Sequence, residues 1–247
     1  MKDKKLDFFN KTVWNTLNKK EKIEYIWDYY KFPIFVVCIL LYIAGSMIYG
    51  QLTNKEPLLY LAFVNVNPSQ ELTSQITDGY LEYSDSLSKE DGLQLYTGLY
   101  LTDDPQNPYV EYTYASRIKI IGAVDKEALD ILFMNKEAFD AFSQSGYLCD
   151  LETLLNNTDI ELYNTVTPYF AENIVILEDN SMEVSLDPSI PYESKTEVHS
   201  FGLDLSQKGL LASAGFDDTV YLGILANSPR TEACLEYISY LFSTVLP

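Results

Sequence analysis

The 247-residue chain contains one histidine, His199, and three cysteines with no Cys-x-x-Cys spacing. A zinc site of ordinary spacing draws on several such ligands, so this supply argues against one. Gly-x-Ser-x-Gly, the phosphate-binding loop, Gly-x-Gly-x-x-Gly and the EF-hand loop are all missing. With them go the common signatures of hydrolases, nucleotide enzymes and calcium sensors. A dyad of Cys149 with His199 is conceivable from residue type alone. Carboxylates, by contrast, are so abundant at 36 that choosing any acid–base pair would be arbitrary. No catalytic, cofactor-binding or metal-ligating residue is therefore assigned. The sequence names no ligand-binding residue either, and the expectation is a protein without catalysis or cofactor.

Charge is missing from residues 32–50, FPIFVVCILLYIAGSMIYG, which Lys31 closes on one side and Lys55 and Glu56 follow on the other. At the α-helical rise these residues span about 28 Å, close to the hydrocarbon thickness of a bilayer. The stretch predicts a single transmembrane helix. A buried core helix of this length would carry polar punctuation. A cleaved signal peptide would need a charged leader far longer than usual. Pro33 suits a first helical turn, and Tyr29, Tyr30 and Tyr49 lie where interfacial anchors sit. Cys38 follows Phe-Val-Val, which is no lipobox, and Ser46 with Gly50 forms one small-xxx-small pair.

Basic residues are scarce beyond the span. Residues 1–31 hold eight lysines and five acids, net +3, whereas residues 51–247 hold nine basic and 31 acidic residues, net −22. Lysine flanking the span places the N-terminus in the cytoplasm and the body outside. An acidic body argues against nucleic acid or anionic lipid as its partner. Solubility accounts for the charge. Calcium ligation by Asp103-Asp104 or Asp217-Asp218 is a weaker reading than solvated turns. Asn156-Asn157-Thr158 fits a glycosylation sequon. Cys149 and Cys234 face a disulfide-permissive side, and the sequence leaves open whether they pair.

The organisation expected is a cytoplasmic Lys-rich segment over 1–31, the span over 32–50, a linker over 51–56 and one domain over 57–247. In the first segment Trp14, Leu17, Ile23, Ile26, Trp27 and Tyr30 recur at helical spacing among lysines. It reads equally as a helix lying on the inner leaflet or as a plain positive flank. Strands are expected over 58–66, 93–101, 129–134, 174–177 and 220–226, and helices over 69–84, 135–145, 151–155 and 159–169. Leu72, Ile76, Tyr80 and Tyr83 form one stripe. Asn135 caps a helix that Gly146 stops. Residues 109–124 fit either a strand, with Val110, Tyr112 and Tyr114 alternating, or a helix through Ala115, Ile118 and Ile121. Residues 180–198 read as a surface excursion or edge hairpin. Ser228 and Pro229 open a last helix with Cys234, Ile238, Leu241 and Val245 on one face. Gly223 would let that helix approach its strand closely. Alternating strands and helices imply an α/β layered domain.

Three segments resemble bacterial extracellular solute-binding proteins. One is Leu129-Asp130-Ile131-Leu132-Phe133 with Lys136-Glu137-Ala138-Phe139, Gly146-Tyr147-Leu148 and Asp150-Leu151. Another is Tyr221-Leu222-Gly223-Ile224-Leu225-Ala226-Asn227-Ser228. The third, Phe201-Gly202-Leu203-Asp204-Leu205-Ser206, is similar to a turn of membrane-anchored relatives in Gram-positive bacteria. The resemblance implies part of a periplasmic-binding-protein-like α/β fold, in which 109–124 is a helix. Full-length members have two lobes and are longer than this body, and no ligand-binding residue carries over. The expected role is binding, sensing or accessory transport, with a small solute or an envelope protein as partner. The alternative is a structural or assembly subunit that binds another protein and has no solute cleft.

Overall fold

The computed structural model describes residues 17–53, 57–84, 92–206 and 219–245, without the side chains of 23, 25, 26, 28–30, 50–53, 244 and 245. Trp14 and the acids Asp217 and Asp218 lie outside the described residues, as does the side chain of Val245. The chain divides into two units, 1–55 and 56–247.

Among the described residues, the first unit contributes one helix, α1 (Lys19–Thr53). Its start is a reciprocal cap. Asn18 Oδ1 accepts the amides of Lys20 and Glu21, each at 3.1 Å, while Glu21 Oε2 accepts the Asn18 amide at 2.8 Å. The helix therefore begins well before the apolar run, and Pro33 lies inside it instead of in its first turn. Pro33 removes one backbone hydrogen bond there, which membrane-spanning helices tolerate. Within α1, Lys31–Tyr49 has the length and apolarity to cross a membrane, and none of that window is buried in the structure.

The second unit is a mixed α/β domain built on one six-stranded sheet of order β2-β1-β3-β6-β5-β4. The strands are β1 (Leu59–Val64), β2 (Leu93–Leu99), β3 (Ile131–Met134), β4 (Phe170–Asp179), β5 (Ser194–Asp204) and β6 (Tyr221–Ile224). Strand β1 runs parallel to both β2 and β3, whereas β6, β5 and β4 join as an antiparallel half. Among the described residues, the helices of this unit are α2 (Gln70–Tyr83), α3 (Val110–Asp125), α4 (Lys136–Gln144), α5 (Leu151–Thr158), α6 (Ile160–Val166), α7 (Ser181–Leu186) and α8 (Thr231–Tyr240). Two short turns follow α6 and α8, at Thr167–Tyr169 and Leu241–Val245.

Apolar residues on both faces of β1 and β3 suit strands covered on both sides. One layer contains α2, α5, α6 and α8; the other contains α3 and α4. Ser69 caps α2 through the Leu72 amide, and Leu72, Ile76 and Tyr80 are buried. Tyr237 and Tyr240 of α8 donate hydroxyls to the carbonyls of Ile76 and Gln75, at 2.9 and 2.6 Å, pinning α8 onto α2. Tyr83, expected in that stripe, is exposed.

Residues 109–124 resolve to a helix, but its buried face is Thr113, Ser116, Ile120, Ala123 and Val124. Ile118 and Ile121, on which the helical reading rested, are 55% and 49% exposed. Asn135 caps α4 through the Ala138 amide, and Gly146 stops it at φ +71°.

Other expectations are met or corrected. Residues 180–198 hold α7 and the outer part of β5, so of the two readings the edge hairpin is the one found, as the far end of the long β4–β5 pair. Phe201-Gly202-Leu203-Asp204 is the buried inner end of β5, not a turn. Gly223 accommodates Leu148 and Met134, whose atoms stand 3.1–3.2 Å from where a Cβ would be, and not the last helix. That helix starts at Thr231, two residues beyond Pro229, without a side-chain cap; the Ser228 hydroxyl donates to Asp130 and its oxygen accepts the Arg230 amide at 3.2 Å. Leu225 and Ile238 are both core residues, in opposite layers. Cys234 is buried, Cys149 is only half-buried, and both are free thiols.

Candidate functional site

The parallel half of the sheet reverses direction at β1. One crossover carries the chain from β1 to β2 through α2, and the next carries it back across β1 to β3 through α3 on the opposite face. Ligands of open α/β sheets bind outside the carboxyl ends of the strands at such a reversal. Here the loops after β1, β2 and β3 converge on Asn65. Its backbone is left-handed, φ +59°, a conformation that asparagine tolerates better than most residues. Its side-chain amide donates to the Leu101 carbonyl at 2.7 Å and to Asn135 Oδ1 at 3.1 Å. Its oxygen accepts the Leu101 amide at 2.7 Å. Asn65 thus staples the loop after β2 to the cap of α4 and fixes the floor of the reversal.

Beside that staple, between α3, α4 and the far end of β4, lies a crevice of about 510 Å³. Leu101, Ile120 and Phe142 supply a buried apolar floor, and the half-buried Ile176 supplies a wall. Asp103, Arg117, Glu137 and Asp179 bring charge to its edge. Arg117 pairs with Asp103 across the mouth and also reaches the Thr102 carbonyl. Glu137 accepts the Asp103 amide at 3.2 Å. Asp179 is held below the usual carboxylate range, mainly because the hydroxyl and amide of Ser181 donate to it. An apolar floor under a few convergent polar groups is the usual make-up of a binding pocket.

The opposite ends of the same strands hold a charge that is wholly buried. Asp130 is 0% exposed. Its Oδ2 accepts the Tyr60 amide and Arg230 Nε, both at 2.8 Å, and its Oδ1 accepts the Ser228 hydroxyl at 2.6 Å. Arg230 also donates to the Glu127 carbonyl and lies over the Tyr60 ring, 4.7 Å from its centroid. Both carboxylate oxygens that burial takes from water are thus given donors, as a buried carboxylate requires. Sequence reasoning named neither Arg230 nor this role for Ser228. The available signal was Asp130 itself, one acid inside the apolar run from Leu129 to Met134.

The histidine falls on β5. Its Nδ1 stands 3.2 Å from Asp150 Oδ2, the cap of α5, and its Nε2 stands 3.5 Å from Glu197 Oε2. With both ring nitrogens turned to carboxylates, His199 is no base for Cys149. Burial, reinforced by the Asp150 charge, pushes the Cys149 thiol up to about 12, the reverse of what a nucleophile needs. Asp103 and Asp104 are engaged by Arg117 and by the Gln106 amide. Among the described residues no group of three metal-type ligands is assembled. Asn156, Asn157 and Thr158 form the exposed end of α5. Comparison of the chain with protein-family models, curated proteins and solved structures gave no match.

Proposed function

We propose that this is a single-pass membrane protein whose acidic body is a solute-binding-like domain outside the cytoplasm. It acts as a binding, sensing or transport-accessory subunit without chemistry of its own. Supporting the anchor are the uncharged run that fills the window Lys31–Tyr49 after its first residue and the lysines before it. The observation that carries the binding role is the crevice between α3, α4 and the far end of β4, with its apolar floor and charged mouth. The three segments resembling extracellular solute-binding proteins agree with it, and with a body that corresponds to part of their fold. Thermal-shift screening of the detergent-solubilised chain against sugars, amino acids, peptides and metal ions tests this. A ligand at 100 times its Kd stabilises by about 2.7 kcal/mol. Ser145→Trp, at the crevice wall, should abolish that gain. A shift that survives Ser145→Trp removes the crevice from the reading, and a flat screen removes the solute.

The alternative is an assembly subunit that binds another envelope protein. One observation favours it: Val110, Tyr114, Ile118 and Ile121 form an exposed stripe along α3. A flat screen together with a stoichiometric partner in pull-downs that Ile118→Glu releases would support this role instead.

A further inference from the structure

The crevice does not end at Arg117. A second hollow of about 310 Å³ lies on the far side of that side chain, and both are lined by Thr102, Asp103 and Arg117. Together they make a trough from Asp179 on β4, past Glu137, to Asp104 and Tyr114 at the start of α3. An enclosed pocket for one compact solute would be walled on all sides. This trough is open along its length, which suits an extended chain.

Its surface alternates in character. Apolar contact comes from Ile120, Phe142 and Ile176 at one end and from Val110 and Tyr114 at the other. Between and around them stand four carboxylates, Asp103, Asp104, Glu137 and Asp179, against one lining cation among the described residues, Arg117. Arg117 is already committed to Asp103. Among the described residues the remaining acids receive only neutral donors: the Asp103 amide for Glu137, the Gln106 amide for Asp104, and Ser181 with Tyr192 for Asp179. The trough therefore carries about three uncompensated negative charges beside apolar wells. An anionic or uncharged hydrophilic guest meets either repulsion or unmatched apolar surface there.

We infer that the trough receives an extended cationic peptide segment, with lysine or arginine side chains meeting Glu137, Asp104 and Asp179 and apolar side chains filling the wells between them. This rests on the binding role proposed above and names its ligand class. Electrostatic attraction to a body of net −22 would draw any cation loosely. Contact in the trough differs in being local, since charges beyond about 8 Å are screened at physiological salt.

The test uses the whole chain in uncharged detergent micelles at physiological salt. The probe is a fluorophore-labelled hexapeptide of alternating lysine and leucine, read by anisotropy. Two relatives replace leucine by serine or lysine by glutamate. The lysine–leucine peptide should bind tightest, the lysine–serine peptide several-fold more weakly, and the glutamate–leucine peptide not measurably. Glu137→Gln with Asp104→Asn should weaken the first peptide by about three- to tenfold, the sum of two exposed charge contacts. Glu161→Gln with Glu232→Gln, on α6 and α8 in the opposite layer, should leave it unchanged. Equal losses in the two double variants would mean long-range attraction only and would overturn the inference, as would equal binding of the serine and leucine peptides. If the solute screen yields a neutral ligand that Ser145→Trp blocks and the lysine–leucine peptide fails to displace, the binding role stands and the peptide assignment falls. If neither peptide nor solute binds, both fall.

Discussion

Arg230 Nε donates to Asp130 Oδ2 at 2.8 Å, joining the residue before α8 to the residue before β3. The Asp130 side chain is completely buried and that of Arg230 is 21% exposed. The segments 129–134 and 221–228 thus meet at one carboxylate, because Ser228 closes the other oxygen. Removing one partner of such a pair leaves a desolvated charge behind, which costs about 3–5 kcal/mol. Arg230→Leu should therefore destabilise the body by that amount. Adding Asp130→Asn should restore part of the loss, since no charge is then stranded. The body has no tryptophan, so near-ultraviolet circular dichroism of its tyrosines during urea unfolding reports it. Additive losses in the double variant would show that the two residues act independently.

Asp150 is a cap whose contribution depends on pH. Burial alone would raise its carboxyl, but the hydroxyl and amide of Thr153, and then His199, outweigh burial and hold it below the ordinary value. A carboxyl depressed in the folded state stabilises fully above its unfolded value, about 3.9, and loses that contribution as pH falls through the lower folded value. Asp150→Ala should cost about 1 kcal/mol at neutral pH, within the usual range for a lost cap. The gap between variant and parent should narrow below about pH 4. Unfolding curves of both proteins at pH 7 and pH 3 decide it, and a gap of equal size at both would exclude an ionised cap.

The thiols of Cys149 and Cys234 are both pushed up to about 12, first by burial and then by the Asp150 and Asp130 charges respectively. Their alkylation at pH 8 should be slow in the native protein and fast in urea, by mass spectrometry of the labelled body. Because the folded state holds these protons more tightly, stability should be intact below the unfolded thiol value, about 8.5, and decline as pH rises from there toward 12. Rapid native labelling at either position would contradict this burial.

Two glycines should respond in opposite directions. A Cβ on Gly202 would stand 2.8 Å from Phe139 Cε2 and 2.9 Å from the Leu222 carbonyl oxygen, and that backbone atom cannot step aside. Gly202→Ala should cost about 1–3 kcal/mol, the usual penalty of overpacking. Gly122, inside α3, has open space where a Cβ would stand, with no neighbour within 4 Å. Gly122→Ala should stabilise by about 0.4–1 kcal/mol, since alanine restricts the unfolded chain and favours the helix. The same unfolding assay compares them, and matching signs would be inconsistent with the packing described.

Orientation is tested by position of charge. A reporter fused after Pro247 should be active only outside the membrane. Moving the lysines at 19, 20, 22 and 31 to the far side of the span, between residues 51 and 56, should disturb that orientation. A C-terminal tag that external protease cannot reach in the unmodified protein would refute the topology.

Local chemistry was readable directly. The apolar window and its lysine flank need no tertiary contact to be recognised, because a membrane-crossing helix satisfies its own backbone. The runs at β1, β3 and β6 and the cap at Asn135 were likewise legible, since a short side chain capping its own next turn depends on nearest neighbours alone. Where two local patterns competed, sequence could not choose. Over 109–124 strand alternation and helical spacing competed; the fold makes the segment α3, burying Thr113, Ser116, Ile120, Ala123 and Val124 and leaving Ile118 and Ile121 exposed.

Long-range pairing was decided only by the tertiary structure. Ser228 accepts the Arg230 amide locally, yet its hydroxyl proton goes to a carboxylate 98 residues away, because a buried charge left unmatched is costly. Gly223 makes room for Leu148 and Met134 because the crossovers bring those side chains to its face of β6. The trough has no motif at all. Leu101, Ile120, Phe142 and Ile176 come from four separate places in the chain, and only the reversal of strand order at β1, with Asn65 holding its loops, brings them together. A chain can announce a helix of membrane-crossing length through composition, because apolar length is a local property. It cannot announce a binding surface whose members share no local spacing.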